Sequence, residues 1–256
     1  MSEFRDNLIK DTNIFFDGDY DVIDGRGIPE AKDIVFGTQG KKVELAMLFI
    51  DIKESTKIVD AFRLTTSARM YQAFLRGITL IALKNDGEVR SFNGDGVLVT
   101  FYGGSKCNNA VRTALQMMDF VNTILKPKIN AYFNRNKQAD NLFFDCGIGI
   151  DVGDVLVVRG GARGDNNNDL VWVGNATNFA VKLSAQTKKE IETSEGRKTI
   201  KYNIHITNRI YNQLKPELKT LKGSLFSTIW QKYSVGLLLG LSNSDFRYRT
   251  NKTLPF

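Results

Sequence analysis

The sequence predicts one α+β domain, on three observations. A continuous apolar run of strand length, ELAMLFIDI, spans 44–52 and has the pattern of a strand covered on both faces. Apolar residues recur at helical spacing from Leu64 to Leu83, and again through Ala110, Val111, Ala114, Leu115, Met118, Val121 and Leu125. Between these helices, Asn93-Gly94-Asp95-Gly96 is flanked by two β-like runs, a strong hairpin signal.

The elements follow in order. Residues 1–42 are polar, carry Gly25, Gly27, Pro29, Gly37 and Gly40 and show no sustained period, so they read as an arm that packs on the body or on a partner subunit. Ser55 and Thr56 offer helix caps after the first strand. The helix through Leu125 is expected to stop before Lys126-Pro127. FFDCGIGI and VLVVR flank Asp151-Val152-Gly153-Asp154 as a second hairpin, and GGARGDNNND is a polar loop. LVWVG is a short strand followed by a helix from Asn175 to Leu183. A charged excursion at 187–198, a strand-like TIKYNIHI and a short helix begun at Thr207 complete a domain over 43–215. Residues 216–256, with Phe226, Trp230, Leu237 to Leu239 and Phe246 among basic residues, read as a folded C-terminal extension of that domain.

The chain has 256 residues, 42% apolar and 25% charged, enough for one sizeable core and incompatible with wholesale disorder. A formal charge of +7 suits an anionic ligand without choosing among nucleotide, nucleic acid and acidic lipid. The basic residues are scattered and no RRM, KH or helix-turn-helix signature is present, so nucleic acid is not expected as a partner. Cys107 and Cys146 make neither a CxxC device nor a disulfide scaffold. The N-terminus lacks an apolar leader, and the longest apolar stretches fall short of a spanning helix. A cytoplasmic protein without stable membrane association is the expectation.

Three segments carry chemistry. Asp51 ends a buried strand and Asp95 lies in a hairpin turn 44 residues later, so neighbouring strands would bring the two carboxylates to one end of the sheet. Hard cations such as Mg²⁺ or Mn²⁺ take such oxygen ligands and share them with phosphates. Asp in an Asn-Gly-Asp-Gly turn is equally ordinary turn chemistry, but an acid inside an apolar run needs a partner. Ile52-Lys53-Glu54-Ser55-Thr56 turns from strand into helix, where free N–H groups can bind phosphate. Asn178 and Lys182, four residues apart, share a helix face, either to orient a sugar and neutralise a phosphate or simply as a solvated face.

Taken together, LFIDIKEST, SFNGDGVLVTF, CGIGIDVGDVLVVRGG and VGNATNFAVKLSAQ resemble, in order and spacing, the catalytic domain of class III nucleotidyl cyclases. The resemblance implies a ferredoxin-like α+β fold and a head-to-tail homodimer with two composite sites. It implies two divalent metal ions per site (Mn²⁺ or Mg²⁺) on Asp51, Asp95 and the Ile52 carbonyl. Asn178 matches the ribose-orienting Asn, and Lys182 stands where the family usually has a transition-state Arg. Ser55 and Thr56 fall in the phosphate-binding turn. The positions that read purines hold Ser91 and Val171, so neither the adenine nor the guanine code is present.

The arm, Arg90-Ser91-Phe92-Asn93 and the missing purine determinants most resemble the pyrimidine cyclases of Pycsar anti-phage systems. That implies conversion of UTP or CTP to a 3′,5′-cyclic product acting on a separate effector protein, with Arg90, Ser91, Asn93 and Val171 near the base. A purine cyclase with an unusual pocket and a non-catalytic nucleotide-binding module are the alternatives. The GGDEF hallmark of diguanylate cyclases is missing. His205, outside all four blocks, is expected to be structural.

Overall fold

The computed structural model describes residues 2–135, 144–162, 167–186, 188–193, 196–220, 229–234 and 246–255. The chain opens with α1 (Ser2–Asn13) and β1 (Asp21–Asp24), and a 3-10 turn (Ala31–Asp33) precedes β2 (Gln39–Ile52). β2 organises the molecule. Its residues Ala46, Leu48, Ile50 and Ile52 enter one core, while Val43, Leu45, Met47 and Phe49 enter a second on the opposite face. Burial on both sides of a period-two strand accounts for the uninterrupted apolar run.

After β2 come α2 (Ser55–Ala61), α3 (Leu64–Lys84) and the hairpin of β3 (Glu88–Asn93) and β4 (Gly96–Phe101). Asn93 pairs with Gly96, leaving Gly94 and Asp95 as the loop. Gly94 has φ 65° and Asp95 does not share it, the pattern of a type II′ turn.

α4 (Lys106–Asp119) then runs through a π-helical turn (Phe120–Leu125) into α5 (Lys126–Arg135). The helix therefore does not stop before Lys126-Pro127. Proline lacks an N–H and its ring crowds the carbonyl four residues back, and the widened turn ahead of Pro127 accommodates that mismatch.

β5 (Cys146–Gly161) is a single strand where a second hairpin was expected. Cys146 to Val158 pair with β2 without a break, so Asp151 to Asp154 make no turn. The turn-like acids have partners remote in sequence: Asp151 is fully buried against Thr207 and Arg209, and Asp154 pairs with Lys42 at 2.9 Å.

β6 (Asn168–Val173) leads to α6 (Asn175–Ser184), and the charged excursion forms a separate antiparallel pair, β7 (Lys188–Thr193) with β8 (Gly196–Lys201). The strand-like run 199–206 is divided between β8 and β9 (Ile204–Thr207). Thr207 caps α7 (Asn208–Gln213) by accepting from the Ile210 N–H at 3.4 Å. Past a 3-10 turn (Pro216–Leu218), β10 (Gln231–Ser234) and β11 (Phe246–Thr250) join the main sheet. Trp230 is buried in the first core and donates to the Leu218 carbonyl at 2.7 Å. Phe226 and Leu237 to Leu239 lie outside the described residues.

The main sheet has the order β10-β11-β9-β5-β2-β4-β3, with β1 beside the start of β2 and β6 beside the end of β5. Residues of α3, α4, the π turn and α5 pack in the first core; Ala176 and Ala180 of α6, with Ile34, close the second. Gly147 and Gly149 let α6 lie directly on β5. A Cβ at Gly149 would collide with the Ala180 carbonyl and come within 2.6 Å of the Ser184 nitrogen. Among the described residues no helix is long and apolar enough to cross a membrane.

Candidate active site

The topology brings the two aspartates together. Asp51 has the parity of Phe49 and so stands at the end of β2 on the face of the second core, half-buried. The tight β3–β4 loop delivers Asp95 beside it, close enough for the side chains to share a hydrogen bond. Gly96 has no side chain there, and a Cβ on it would stand 3.2 Å from an Asp51 oxygen. Burial, and then the neighbouring Asp95 charge, push the Asp51 carboxyl up to about 6, opposed by Lys53. Asp95 Oδ2 is buried without a hydrogen-bond partner. Two close acids, one with an orphaned oxygen, fit a hard divalent cation, which takes oxygen ligands and removes their repulsion. Among the described residues no group of three or more His, Cys, Asp or Glu side chains could hold a metal. Further ligands would have to come from backbone carbonyls such as that of Ile52, whose side chain is in the first core, from substrate or from water.

Lys53, which the sequence reading passed over, ties this end of β2 to α6. Its ammonium donates to the Ser184 carbonyl, crossing β5 where a Cβ on Gly147 would stand 3.0 Å from Lys53 Nζ. Burial lowers its pKa, while Asp51 and other acids oppose the shift. Its backbone N–H donates to the Asp145 carbonyl at 2.8 Å. The adjacent turn departs from the expected cap. Glu54, at φ 54°, precedes α2 without a side-chain cap bond, and neither Ser55 nor Thr56 caps the helix because both already lie inside it. Tyr71 of α3 braces the turn by donating to the Ser55 carbonyl at 3.2 Å; its signal was hidden in an ordinary helical stripe. Thr56 is exposed.

The remaining candidates occupy two groups. A β-bulge at Arg90 breaks the β3–β4 register and re-aims its side chain. The guanidinium lies 5.8 Å from the Trp172 ring centre and pairs with Glu88, while its Nε is buried without a partner. Ser91 is partly exposed beside it, Asn93 is exposed at the end of β3, and Val171 is exposed on β6 next to Trp172. Asn178 and Lys182 stand one turn apart on the exposed face of α6. The charges that bear most on Asp51 are Asp95 and Lys53, with Lys182 not among them. The chain thus unites the acid pair and, separately, the α6 pair. Asp151 of β5 accepts from Thr207 at 2.6 Å and from Arg209, whose guanidinium lies 6.0 Å from the Phe179 ring on α6. Both cysteines are buried with raised thiol pKa values, which leaves them chemically quiet.

No protein-family model matches the chain. It is 29% identical to a uridylate cyclase from Xanthomonas perforans over 248 residues, 96% of each chain. It is 30% identical to a uridylate cyclase from Burkholderia cepacia over 220 residues, 85% of this chain and 87% of that one. Its fold is similar to the adenylyl cyclase CyaB from P. aeruginosa (TM-score 0.65, 19% identity, 84% of this chain and 97% of that one). A similar match joins it to the guanylyl cyclase Cya2 (TM-score 0.61, 14% identity, 84% and 95%). The structural matches show the α+β cyclase fold, the sequence matches run over most of both chains, and on the sequence matches the chain belongs to the uridylate cyclase family.

Proposed function

We propose that this cyclase converts UTP to 3′,5′-cyclic UMP and pyrophosphate, at sites shared between two copies in a head-to-tail homodimer. The observation that carries the reading is the Asp51–Asp95 pair, with its raised carboxyl pKa and its buried, unpartnered oxygen. Asp51, Asp95 and the Ile52 carbonyl are the ligands assigned to two divalent ions, Mn²⁺ or Mg²⁺. When bound, such ions neutralise triphosphate charge and make a ribose hydroxyl more acidic.

The chain's own part is positioning. The first N–H groups of α2, at Ser55 and Thr56, have no intrahelical acceptor and are assigned to the phosphates, and Lys53 adds a nearby cation. Asn178 of the partner copy orients the ribose by hydrogen bonding, and Lys182 offsets charge that builds on the α-phosphate as the 3′-oxygen attacks and pyrophosphate leaves. A lysine supplies a point charge where an arginine would supply a planar fork, so Lys182 works without bidentate geometry. Little general-base chemistry is needed, since positioning and charge neutralisation dominate phosphoryl transfer.

Choice of the base is assigned to Arg90, Ser91, Asn93 and Val171. A hydroxyl and an apolar side chain leave the polar edge of a purine unpaired at about 1–3 kcal/mol per group. The names of the relatives favour uracil over cytosine. The product is then a second messenger for a separate effector protein, as in anti-phage signalling. Equimolar UTP, CTP, ATP and GTP with Mn²⁺ are expected to yield mainly cyclic UMP, with kcat/KM for UTP at least about tenfold above either purine, a difference of about 1.4 kcal/mol. Mainly cyclic CMP, AMP or GMP would overturn the substrate assignment, and no cyclic product from any of the four would overturn the activity.

A further inference from the structure

The arm leaves large apolar side chains in water. Every side chain from Glu3 to Asp24 is exposed, yet Phe4 is 75% and Phe16 81% accessible, with Leu8, Ile9, Ile14 and Phe15 between them. Phe4 and Leu8 are one turn apart on α1 and share a face. A short helix of this kind gains its stability from packing its apolar face. Residues 1–24 also hold seven acidic and two basic side chains, a formal −5, against +7 for the whole chain, so that +12 falls on the rest.

Two basic residues of that body, Arg69 and Lys128, line an apolar groove. Helix α3 and the helical stretch from Phe120 to Arg135 together contain six basic and no acidic residues. Between them opens a groove of about 140 Å³, floored by Met70, Leu125, Ile129 and Phe133, with Arg69 and Lys128 beside it. An apolar cavity of about 150 Å³ accepts benzene, so the groove has room for one phenyl ring.

Reach decides whose arm fills it. The groove flanks the first half of α3, beside the turn that Tyr71 braces, at the end of the sheet that carries Asp51. The arm is tethered at the other end, where β1 pairs with Gln39 to Lys42. Gln39 and Asp51 are twelve residues of strand apart, roughly 40 Å at about 3.3 Å per residue. The backbone stays coiled past α1 to Phe16, where the Phe16 and Asp17 N–H groups donate to the Asn13 carbonyl. From Asp21 back to Phe4 the chain therefore spans at most about 35 Å, taking Phe4 to Phe16 at about 1.5 Å per residue and the last five residues extended. Phe4 therefore falls short of its own groove. We propose that α1 of one copy docks in the α3–α5 groove of a second copy, with Phe4 on the apolar floor and Asp11, on the same helix face, together with Glu3 at its flank opposite Arg69 and Lys128. This contact is independent of the cyclase site and of its substrate.

Two differently tagged full-length populations test it, one carrying Asn7→Cys and the other Ala73→Cys, both at exposed positions away from the buried native cysteines. Mild oxidation is expected to give a disulfide-linked species bearing both tags. Arg69→Glu with Lys128→Glu should cut its yield at least fivefold, and adding Glu3→Lys with Asp11→Lys to the other population should restore it. That rescue separates a docking effect from misfolding. No link between the two populations, the result if α1 fills its own chain's groove or none, or a link indifferent to charge reversal would overturn the proposal. Binding of the chain to anionic phosphatidylglycerol vesicles or to a random RNA that requires Arg69 and Lys128, with no mixed link, would also overturn it and give the groove to that ligand.

Discussion

The Asp51 carboxyl is pushed up to about 6 in the folded chain because it is half-buried and beside Asp95. Its folded pKa lies above the ordinary 3.8, so the cost of its charge is absent below about pH 4, grows as pH rises and is complete above about 6. Asp51→Asn is therefore expected to raise the Tm of chelator-treated protein by a few degrees at pH 7.5, with the gain gone at pH 4. Mn²⁺ should raise the Tm of the wild type and leave the variant unmoved. A variant that melts lower, or that keeps the Mn²⁺ shift, would remove Asp51 from the acid site. His205 has the opposite sign of linkage. Burial holds its imidazole down to about 4, and its Nε2 meets the Tyr202 carbonyl at 3.0 Å. Below the ordinary 6.5 the unfolded chain takes up a proton that the folded chain refuses. Stability should thus fall by up to about 3 kcal/mol between pH 6.5 and 4 on account of this residue. In His205→Gln that part of the acid sensitivity should disappear from denaturant titrations, and an unchanged pH profile would contradict the assignment.

At the scale of elements, α6 depends on two glycines of β5 for its seat. Gly149→Ala would drive a Cβ into the Ala180 carbonyl, at about 1–3 kcal/mol of stability for such overpacking. It would also displace Asn178 and Lys182. Turnover is expected to fall well beyond the loss of folded protein, as measured by activity per folded molecule; activity that tracks the folded fraction alone would show that the position of α6 is not critical. The same elements mark how far a sequence can be read. β2 and the β3–β4 hairpin were legible because alternation and the Asn-Gly-Asp-Gly turn are local signals. β5 was misread because Asp151 and Asp154 imitate turn residues, while the groups that hold them, Arg209 and Lys42, are remote in sequence. Pro127 misled in the same way, since a single π turn ahead of it depends on packing that no propensity encodes. In the site, the acid pair and the α6 pair stood in recognisable blocks, whereas Lys53 and Tyr71 act through the Ser184 and Ser55 carbonyls, contacts visible only in three dimensions.

For the whole molecule, the decisive feature is the separation of the two candidate pairs. The acid pair lies at the end of β2, and the Asn178–Lys182 pair stands on the exposed face of α6. A second copy laid head to tail would bring each pair to the other and generate two equivalent sites, the closed symmetry of a two-fold dimer. The basic body suits the same arrangement, since a formal +7 draws a polyanionic triphosphate toward the cleft. The measurement that bears most directly on this account is complementation between two inactive variants. Asp51→Asn and Lys182→Ala should each be nearly inactive alone. Mixed in equal amounts and allowed to exchange subunits, they form heterodimers in which one site has both halves intact. With random exchange, half the dimers are mixed and each regains one of two sites, so about a quarter of wild-type cyclic UMP production is expected. A mixture that stays inactive while native mass spectrometry detects the heterodimer would contradict the shared site.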